Sequence, residues 1–155
     1  MLHRVALRVF GALPRWAKSR IVRTLYPTFT GGAVTCLTNP EGRVLLVTHS
    51  YSRGWGLPGG LMNRREDPAT TASRELREEL GVDVGLTGPA IAIKTPGRSH
   101  INILFRGELD DAAASTVAGR SPEITGAGFF ALDDLPDLAE FTDLFLAALG
   151  LEPPR

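Results

Sequence analysis

Short apolar runs and alternating apolar and polar residues recur along the chain from residue 28 onward, and they predict five β-strands. The strands fall at residues 33–37 and 44–49, in two segments on either side of Pro96-Gly97, and in the stretch ITGAGFF. Residues 39–42, Asn-Pro-Glu-Gly, predict the turn between the first two strands. The segment after Pro96-Gly97, at residues 101–109, partly alternates, which is typical of a half-buried strand.

Helical spacing appears after the loop WGLPGG and again near the end of the chain. Asp67 and Pro68 predict the start of a helix, and Gly81 predicts its left-handed cap. One stripe of this helix is predicted to face the core, namely Ala69, Ala72, Leu76 and Leu80. A closing helix is predicted at residues 138–149, ended by Gly150. Strands, a helix, more strands and a last helix predict an α/β sandwich with a mixed sheet.

The segment 1–27 differs from the rest of the chain in charge. Residues 1–26 contain six bases and no acid, so all 17 acids of the chain lie after them, together with 11 of its 17 bases. Apolar residues recur among the early bases at helical spacing, and Gly11 and Pro14 divide them into two short helices. We therefore predict a basic amphipathic helical extension at 1–27, one domain at 28–150 and a short tail at 151–155.

Three interpretations of the extension remain open. It packs on the domain or on a second subunit, which would give a homodimer; it contacts a membrane surface or a nucleic acid; or it is a cleaved organelle-targeting peptide. The extension has no apolar run long enough to span a membrane and no small-residue cleavage site, which argues against a secretory signal. The single cysteine, Cys36, excludes an internal disulfide and is predicted to be a small buried residue in a strand. The single cysteine and the lack of a secretory signal favour a cytoplasmic protein. Contact of residues 1–26 with a membrane surface is the alternative that stays open.

Three carboxylates crowd the C-terminal half of the helix at residues 68–80, namely Glu75, Glu78 and Glu79. Like charges at this spacing repel by about 0.2–0.5 kcal/mol per pair, and the negative end of the helix dipole adds a similar cost. One interpretation is a solvated acidic face. The other is a metal site, because Mg²⁺ or Mn²⁺ prefers clustered carboxylate oxygens and would reverse both costs.

The glutamates belong to a longer pattern. Gly60 is followed after five residues by Glu66, and after seven more by the run RELREELGV, which occupies residues 74–82. This pattern resembles the Nudix box at every defining position, over residues 60–82. The resemblance extends loosely to the order of strands and helices from about residue 28 to 148, and it leaves residues 1–27 outside.

The resemblance implies a Nudix-type α/β/α sandwich that hydrolyses a nucleoside diphosphate linked to another moiety, with Mg²⁺ or Mn²⁺ as cofactor. It implies that the metal is bound by Glu75, Glu78, Glu79 and the carbonyl of Gly59. Arg74 resembles the arginine that orients these glutamates, and Glu66 resembles its partner. Glu75 is the first candidate for the general base, and Glu123 stands where many similar proteins carry a late catalytic acid; the choice between them stays open.

The identity of the substrate is less constrained. Candidates are (d)NTPs, including oxidised ones, and nucleotide sugars such as ADP-ribose, and a nucleic acid is not expected as the main substrate. Arg53 and Arg98 lie in loops on either side of the box and are candidates for phosphate contacts, and Trp55 is a candidate for stacking on a base. Two alternatives to the enzyme are a nucleotide-binding sensor without activity and a docking protein that acts through residues 1–26.

Other aromatic and histidine residues are weaker candidates for the substrate cleft. Tyr51, Phe105 and Phe129 could stack on a base, although aromatic residues in strands more often belong to the core. His49 and His100 could line the cleft, and a hydrogen-bonded strand histidine is the alternative for each.

Overall fold

The computed structural model describes residue 8 and residues 10–152; the predicted apolar positions at residues 2, 5 and 9 and the end of the tail lie outside this part. Its helices and strands are, in chain order, α1 (Arg15–Leu25), β1 (Thr30–Thr38), β2 (Val44–His49), β3 (Gly59–Leu61), α2 (Pro68–Leu80), β4 (Leu86–Lys94), β5 (His100–Glu108), α3 (Asp111–Thr116), β6 (Ile124–Phe130) and α4 (Thr142–Ala148).

These six strands belong to one mixed sheet. Its order is β4-β5-β1-β2-β6, and β3 pairs with β1 beside this path. β1 pairs in parallel with β5 along its whole length, from Thr30 opposite His100 to Thr38 opposite Glu108. The pairings of β1 with β2 and β3, of β4 with β5, and of β2 with β6 are antiparallel. The predicted mixed sheet is confirmed.

Apolar side chains of β2 alternate between the two faces of the sheet, as the strand geometry requires. Val44 and Leu46 pack in a cluster with Phe145, Leu146 and Leu149 near the end of the chain. Leu45 and Val47 pack in a second cluster that includes Leu76 and Leu80 of α2. One helix therefore covers each face, which is the predicted α/β/α sandwich, and Cys36 is buried in the first cluster as predicted.

The closing helix begins later than predicted. It starts at Thr142 instead of residue 138, because Leu138 forms a parallel bridge with Trp55 and the amide of Ala139 donates to the Trp55 carbonyl at 2.8 Å. Phe141 then adopts a left-handed backbone conformation, with φ 69°, immediately before the helix. A backbone held by a distant residue cannot also continue the helical ladder.

Two smaller predictions about local structure also need correction, and one helix was not predicted. Ala69 is exposed, so the buried positions of α2 are Thr71, Ala72, Leu76, Glu79 and Leu80. The end of the predicted glycine-rich loop forms the short strand β3, because its backbone pairs with β1. The short helix α3 was not predicted, although Asp110 caps it by accepting a hydrogen bond from the Ala113 amide at 2.7 Å.

The helix α1 begins directly after Pro14, as the predicted break requires, and none of its residues is buried. Trp16 and Leu25 are 73% and 71% exposed. Within the part of the chain that the structure describes, no helix combines the length and the apolar character needed to cross a membrane.

Candidate active site

The helix α2 carries the glutamates of the box, and local signals set its limits. The Asp67 side chain accepts hydrogen bonds from the Thr70 amide at 3.0 Å and from the Thr70 hydroxyl at 2.6 Å, which satisfies the first turn. Gly81 ends the helix in the left-handed conformation, with φ 70°. The predicted cap residues are therefore confirmed, and they fix which face of the helix Glu75 and Glu79 occupy.

The strand β3 brings two glycines against this helix. A side chain on Gly59, at φ 149°, would place its Cβ 2.2 Å from the Ala33 carbonyl oxygen of β1. A Cβ on Gly60 would lie 2.3 Å from the Glu75 Oε1 atom. Gly59 requires glycine because the backbone of β1 already occupies the space, whereas a side chain at position 60 would have to displace the Glu75 carboxylate. The strand–helix approach is thus close enough for backbone amides to reach the carboxylates.

Glu79 is the most deeply buried of the three glutamates, with 5% of its surface exposed. Its Oε2 accepts a hydrogen bond from the Gly59 amide at 3.0 Å, and its Oε1 lies 3.2 Å from the His49 Nε2. A buried carboxylate needs such partners because its desolvation is costly. Glu79 is therefore held in one orientation by β2 and β3.

Arg74 binds the other two glutamates. Its Nη1 donates to the Glu75 Oε1 at 2.8 Å and to the Glu78 Oε2 at 3.0 Å. Burial raises the pKa of Glu75; Arg74 opposes this shift, and the negative charges of Glu79 and Glu78 add to it. The Glu75 side chain is 14% exposed, against 58% for Glu78, so the two carboxylates meet very different surroundings.

Glu66 anchors the far side of the same guanidinium. Its two oxygens accept from the Arg74 Nε at 2.9 Å and Nη2 at 3.1 Å, a bidentate arrangement. These bonds, together with one from the Asn63 amide, lower the pKa of Glu66 to about 2, so it is charged at neutral pH. Arg74 also donates to the Leu61 carbonyl at 3.1 Å. The arginine thus ties the loop before α2 to the glutamates on it.

A cavity of about 290 Å³ opens over these groups. It is lined by Tyr51, Gly59, Gly60, Leu61, Asn63, Arg74, Glu75, Glu79 and Glu123. Glu123, from the turn before β6, therefore joins Glu75 and Glu79 around one space, although it lies far from both along the chain. The position assigned to Glu123 by resemblance is consistent with this placement.

Tyr51 and His49 lie beside the glutamates. Tyr51 lines the cavity and lies against the His49 ring with 5.2 Å between ring centroids, and burial and the nearby Glu123 raise the Tyr51 pKa. His49 is the last residue of β2 and Tyr51 lies in the turn that follows, so the turn geometry, and not strand alternation, brings the two rings together. Asn63 was not predicted as part of the site; it lines the cavity and donates its amide to Glu66 at 2.9 Å.

The other two aromatic candidates belong to the core. Phe105 is buried in a small cluster with Ala33 and Ala72, and Phe129 packs against the cluster beneath α2. Neither ring lines the cavity over the glutamates. The core interpretation of these strand residues therefore holds.

The three predicted substrate contacts lie in different surroundings. Trp55 packs edge-on against Phe130, with ring centroids 4.8 Å apart, in the apolar cluster beneath α4. Arg53 is exposed in the loop after β2. Arg98 lies over the Phe141 ring, 5.3 Å from its centroid, and pairs with Glu140. The structure therefore does not bring Trp55 into the cavity above the glutamates.

Arg98 borders a second cavity of about 460 Å³, which shares Leu61 with the first. Its other lining residues are Thr30, Thr95, Ser99, His100, Asn102, Phe141 and Phe145. The Asn102 side-chain amide, in a residue 8% exposed, donates to the Thr95 hydroxyl at 3.1 Å, and its oxygen lies 3.1 Å from the His100 Nε2. This cavity thus combines aromatic walls with a row of polar groups, as small-molecule sites do.

The donor atoms around the first cavity fit a hard divalent cation. The acidic side chains around it offer only oxygen atoms as ligands, which is the set that Mg²⁺ and Mn²⁺ prefer, and a cation would offset the mutual repulsion of these carboxylates. Among the described residues, however, no three acidic, histidine or cysteine side chains already converge as a ligand set. Arg74 and the Gly59 amide hold the carboxylates instead, so binding a cation requires some of these oxygens to turn.

Comparison with known proteins agrees with this geometry. A model of the NUDIX domain matches residues 28–149. Among curated proteins, a CMP-5'-(N-acetyl-N-hydroxy-3-aminopropyl)phosphonate hydrolase of Streptomyces rubellomurinus is 44% identical over 55 residues, which is 33% of this chain and 27% of the relative. The aligned stretches span less than half the length of the curated relatives that the chain matches.

Solved structures share the fold over most of the described chain. A MutT NUDIX hydrolase from Burkholderia pseudomallei is 25% identical, with a TM-score of 0.62 over 77% of this chain and 97% of its own. A UDP-X diphosphatase has a TM-score of 0.65 and is 20% identical, over 90% of this chain and 69% of its own. At that identity, the second likeness shows the fold alone.

Proposed function

The chain belongs to the Nudix family, and from that premise we propose that it is a metal-dependent hydrolase that cleaves the pyrophosphate linkage of a nucleoside diphosphate joined to a further moiety. The observation that carries the proposal is the convergence of Glu75, Glu79 and Glu123 on one cavity beside Gly59 and Gly60. Acidic side chains gathered around a glycine-lined cavity suit a cation and the phosphates that it binds.

A divalent cation, when bound, supplies polarisation of the phosphoryl oxygens and lowers the pKa of water. Glu79 would hold it after one of its oxygens turns away from the Gly59 amide or His49, the two groups that orient this buried carboxylate beside the cavity. Glu78 does not line the cavity; its side chain is 58% exposed and bonded to Arg74, and it would have to turn from Arg74 to contribute a ligand. The resemblance to the family implies either magnesium or manganese in this role, and both belong in the assay.

Glu75 is the proposed general base. Arg74 contacts its Oε1, which leaves the Oε2 atom to accept a proton from a water molecule, and burial of the side chain raises its pKa. Glu123 is the second candidate because it faces the same cavity from the turn before β6. Arg74 and Glu66 act as positioning residues, since they hold the carboxylate that would receive the proton.

The neighbouring cavity of about 460 Å³ supports a nucleotide-type substrate. Phe141 and Phe145 offer apolar surface for a planar base, whereas His100 and Asn102 offer hydrogen bonds to its edge. Leu61 lies between the two cavities, so a nucleotide would place its phosphates near Glu75 and its nucleoside beyond Leu61. We propose (d)NTPs and nucleotide sugars such as ADP-ribose as the substrates to test first.

The test is a panel assay. Purified protein with Mg²⁺ or Mn²⁺ is incubated with (d)NTPs, their oxidised forms, ADP-ribose and UDP-sugars, and the released phosphate, pyrophosphate or nucleoside monophosphate is measured. We expect turnover of at least one compound that depends on added metal. Nucleotide binding without turnover of any compound would overturn the proposal in favour of a binding module.

The two candidate bases are then separated by Glu75→Gln and Glu123→Gln, with Glu152→Gln as the control because Glu152 is an exposed residue in the tail. General-base catalysis contributes about 10²–10⁴-fold, so E75Q should lose at least about 100-fold in kcat. The E123Q variant should lose less than E75Q, and the E152Q variant should match the wild type. A larger loss in E123Q would reassign the base.

A further inference from the structure

The helix α1 presents a basic face that the domain leaves open. At about 100° per residue, the exposed residues of one side fall within an arc of about 140°. This basic face consists of Arg15, Trp16, Ser19, Arg20 and Arg23. Its one large apolar member, Trp16, is 73% exposed, and α1 has no buried residue. Whatever contact α1 makes with its own domain, the basic face stays uncovered.

The bases of α1 have no acidic partner in the described chain. No carboxylate of residues 10–152 lies within ion-pair distance of Arg15, Lys18, Arg20 or Arg23. The contacts that they do make are to backbone carbonyls nearby: Lys18 donates to Gly11 at 2.8 Å, and Arg23 donates to Ser19 at 3.4 Å. Their positive charge is thus available to an anionic partner.

Exposed apolar side chains also lie at the C-terminal end of α1 but outside the basic face, since Leu25 points about 150° away from the centre of that face at about 100° per residue, and Tyr26 and Phe29 follow the helix. Leu25 is 71% exposed, Tyr26 is 65% exposed and Phe29 is 40% exposed. On the basic face itself, arginines lie beside the exposed Trp16, and this combination matches the boundary of a lipid bilayer, where headgroups carry the charge and the acyl region lies just beneath. Tryptophan and tyrosine settle at that boundary because they are amphipathic.

We propose that α1 docks the protein reversibly on an anionic lipid surface, with the basic face on the headgroups. Charge complementarity calls for an anionic partner. The area of the face favours lipid over the acidic body of a second copy, because one face of an 11-residue helix falls short of the roughly 800 Å² per partner that a stable dimer buries. The exposed Trp16 on the basic face favours lipid over nucleic acid, since the interfacial region of a bilayer accommodates an amphipathic indole among its headgroups.

The experiment uses the full chain and extruded vesicles of two compositions, pure phosphatidylcholine and phosphatidylcholine mixed with the anionic lipid phosphatidylglycerol. Bound protein is measured by flotation at low and at high salt. We expect binding to the anionic vesicles at low salt, loss of that binding at high salt, and little binding to the neutral vesicles, because screening weakens exposed charge interactions.

Charge variants locate the surface. Arg20→Gln with Arg23→Gln should weaken binding to anionic vesicles about 25-fold, since each base contributes about fivefold near such a surface. Arg43→Gln with Lys94→Gln removes two exposed charges from the body of the chain and should change binding by less than about twofold. Trp16→Ala tests the aromatic contribution and should also weaken binding, and thermal unfolding checks that every variant is folded.

Several results would overturn the proposal. They are equal binding to both vesicle types, no binding to anionic vesicles, or equal weakening by the two double variants. A dimer in light scattering that R20Q/R23Q dissociates would identify a second copy as the partner instead. Tighter binding of the same face to a single-stranded oligonucleotide than to vesicles would identify nucleic acid. None of these measurements depends on nucleotide hydrolysis, so the outcome is independent of the proposed enzymatic function.

Discussion

Replacing Glu79 by glutamine tests the chemistry and the energetics of the site together. The substitution keeps the size of a side chain that is 5% exposed and removes its charge. The glutamine oxygen can still accept from the Gly59 amide, and its NH₂ group can donate to the His49 ring. The fold should therefore tolerate the change, while the capacity to hold a cation falls.

The effect on stability is a small difference between opposing contributions. A hydrogen bond to a carboxylate is stronger than one to a neutral amide by about 1 kcal/mol, so the bond from Gly59 weakens. Against this, the repulsion between Glu79 and Glu75 disappears, worth about 0.2–0.5 kcal/mol, and the helix dipole no longer opposes a charge near its C-terminus, worth about 0.3–1 kcal/mol. We expect a net change within about 1 kcal/mol, which is about 2–4 °C in Tm for a domain of this size.

The assay combines calorimetry, Mn²⁺ affinity measured by electron paramagnetic resonance, and turnover of the substrate found in the panel. A metal contributes several kcal/mol to stabilising developing charge, so losing one ligand should reduce kcat/KM by at least about 100-fold and weaken Mn²⁺ binding. E152Q is the matched control. Near-normal turnover and Mn²⁺ affinity in E79Q would refute the assignment of Glu79 to the metal, and a fall in Tm above about 10 °C would refute the energetic argument.

Three further predictions concern the frame of the site and the core beneath it. Glu66→Gln should lower Tm at pH 7, and because the Glu66 pKa falls from 4.5 to about 2 through its bonds with Arg74, the difference from wild type should be present above pH 4.5 and vanish as the pH falls through about 2 in calorimetry. Gly59→Ala should cost more than about 2 kcal/mol in denaturant unfolding, whereas Gly85→Ala, with open space around its Cβ position, should stay within about 0.5 kcal/mol. Cys36, whose pKa burial raises to about 12, should react with Ellman's reagent far more slowly in the folded protein than in guanidinium chloride.

Features encoded by neighbouring residues were predictable. Asp67, Pro68 and Gly81 set the limits of α2 through hydrogen bonds and φ angles within a few positions of each, and the helix lies where they predict. The apolar run at residues 44–49 likewise predicted a strand, and the structure has β2 there with its first four residues buried. These signals act over one or two turns of chain, which is the range that a sequence pattern describes well.

Features that depend on distant contacts were not predictable. The start of α4 is set by Trp55, which holds the backbone around Leu138 in an extended bridge although the two lie far apart along the chain. The contact between His49 and Glu79 joins residues 30 apart, and it becomes visible only when β2 and α2 lie against each other. The spacing of residues in the sequence predicts which side chains lie on the same face of one helix or strand. It does not predict which other helix or strand that face packs against.

The parallel pairing of β1 with β5 also determines when the site forms during folding. Thr30 meets His100 across 70 residues of chain, and the ladder continues through to Glu108. The same strand, β1, pairs with β3, which carries Gly59 and Gly60 beside the carboxylates. The position of these glycines therefore depends on a strand whose parallel partner, β5, lies about 70 residues later in the chain. Closing so long a loop is slow, and an emerging chain cannot complete the ladder between β1 and β5 before residue 108 is available. We therefore expect the site to form late in folding, after β1 and β5 have paired.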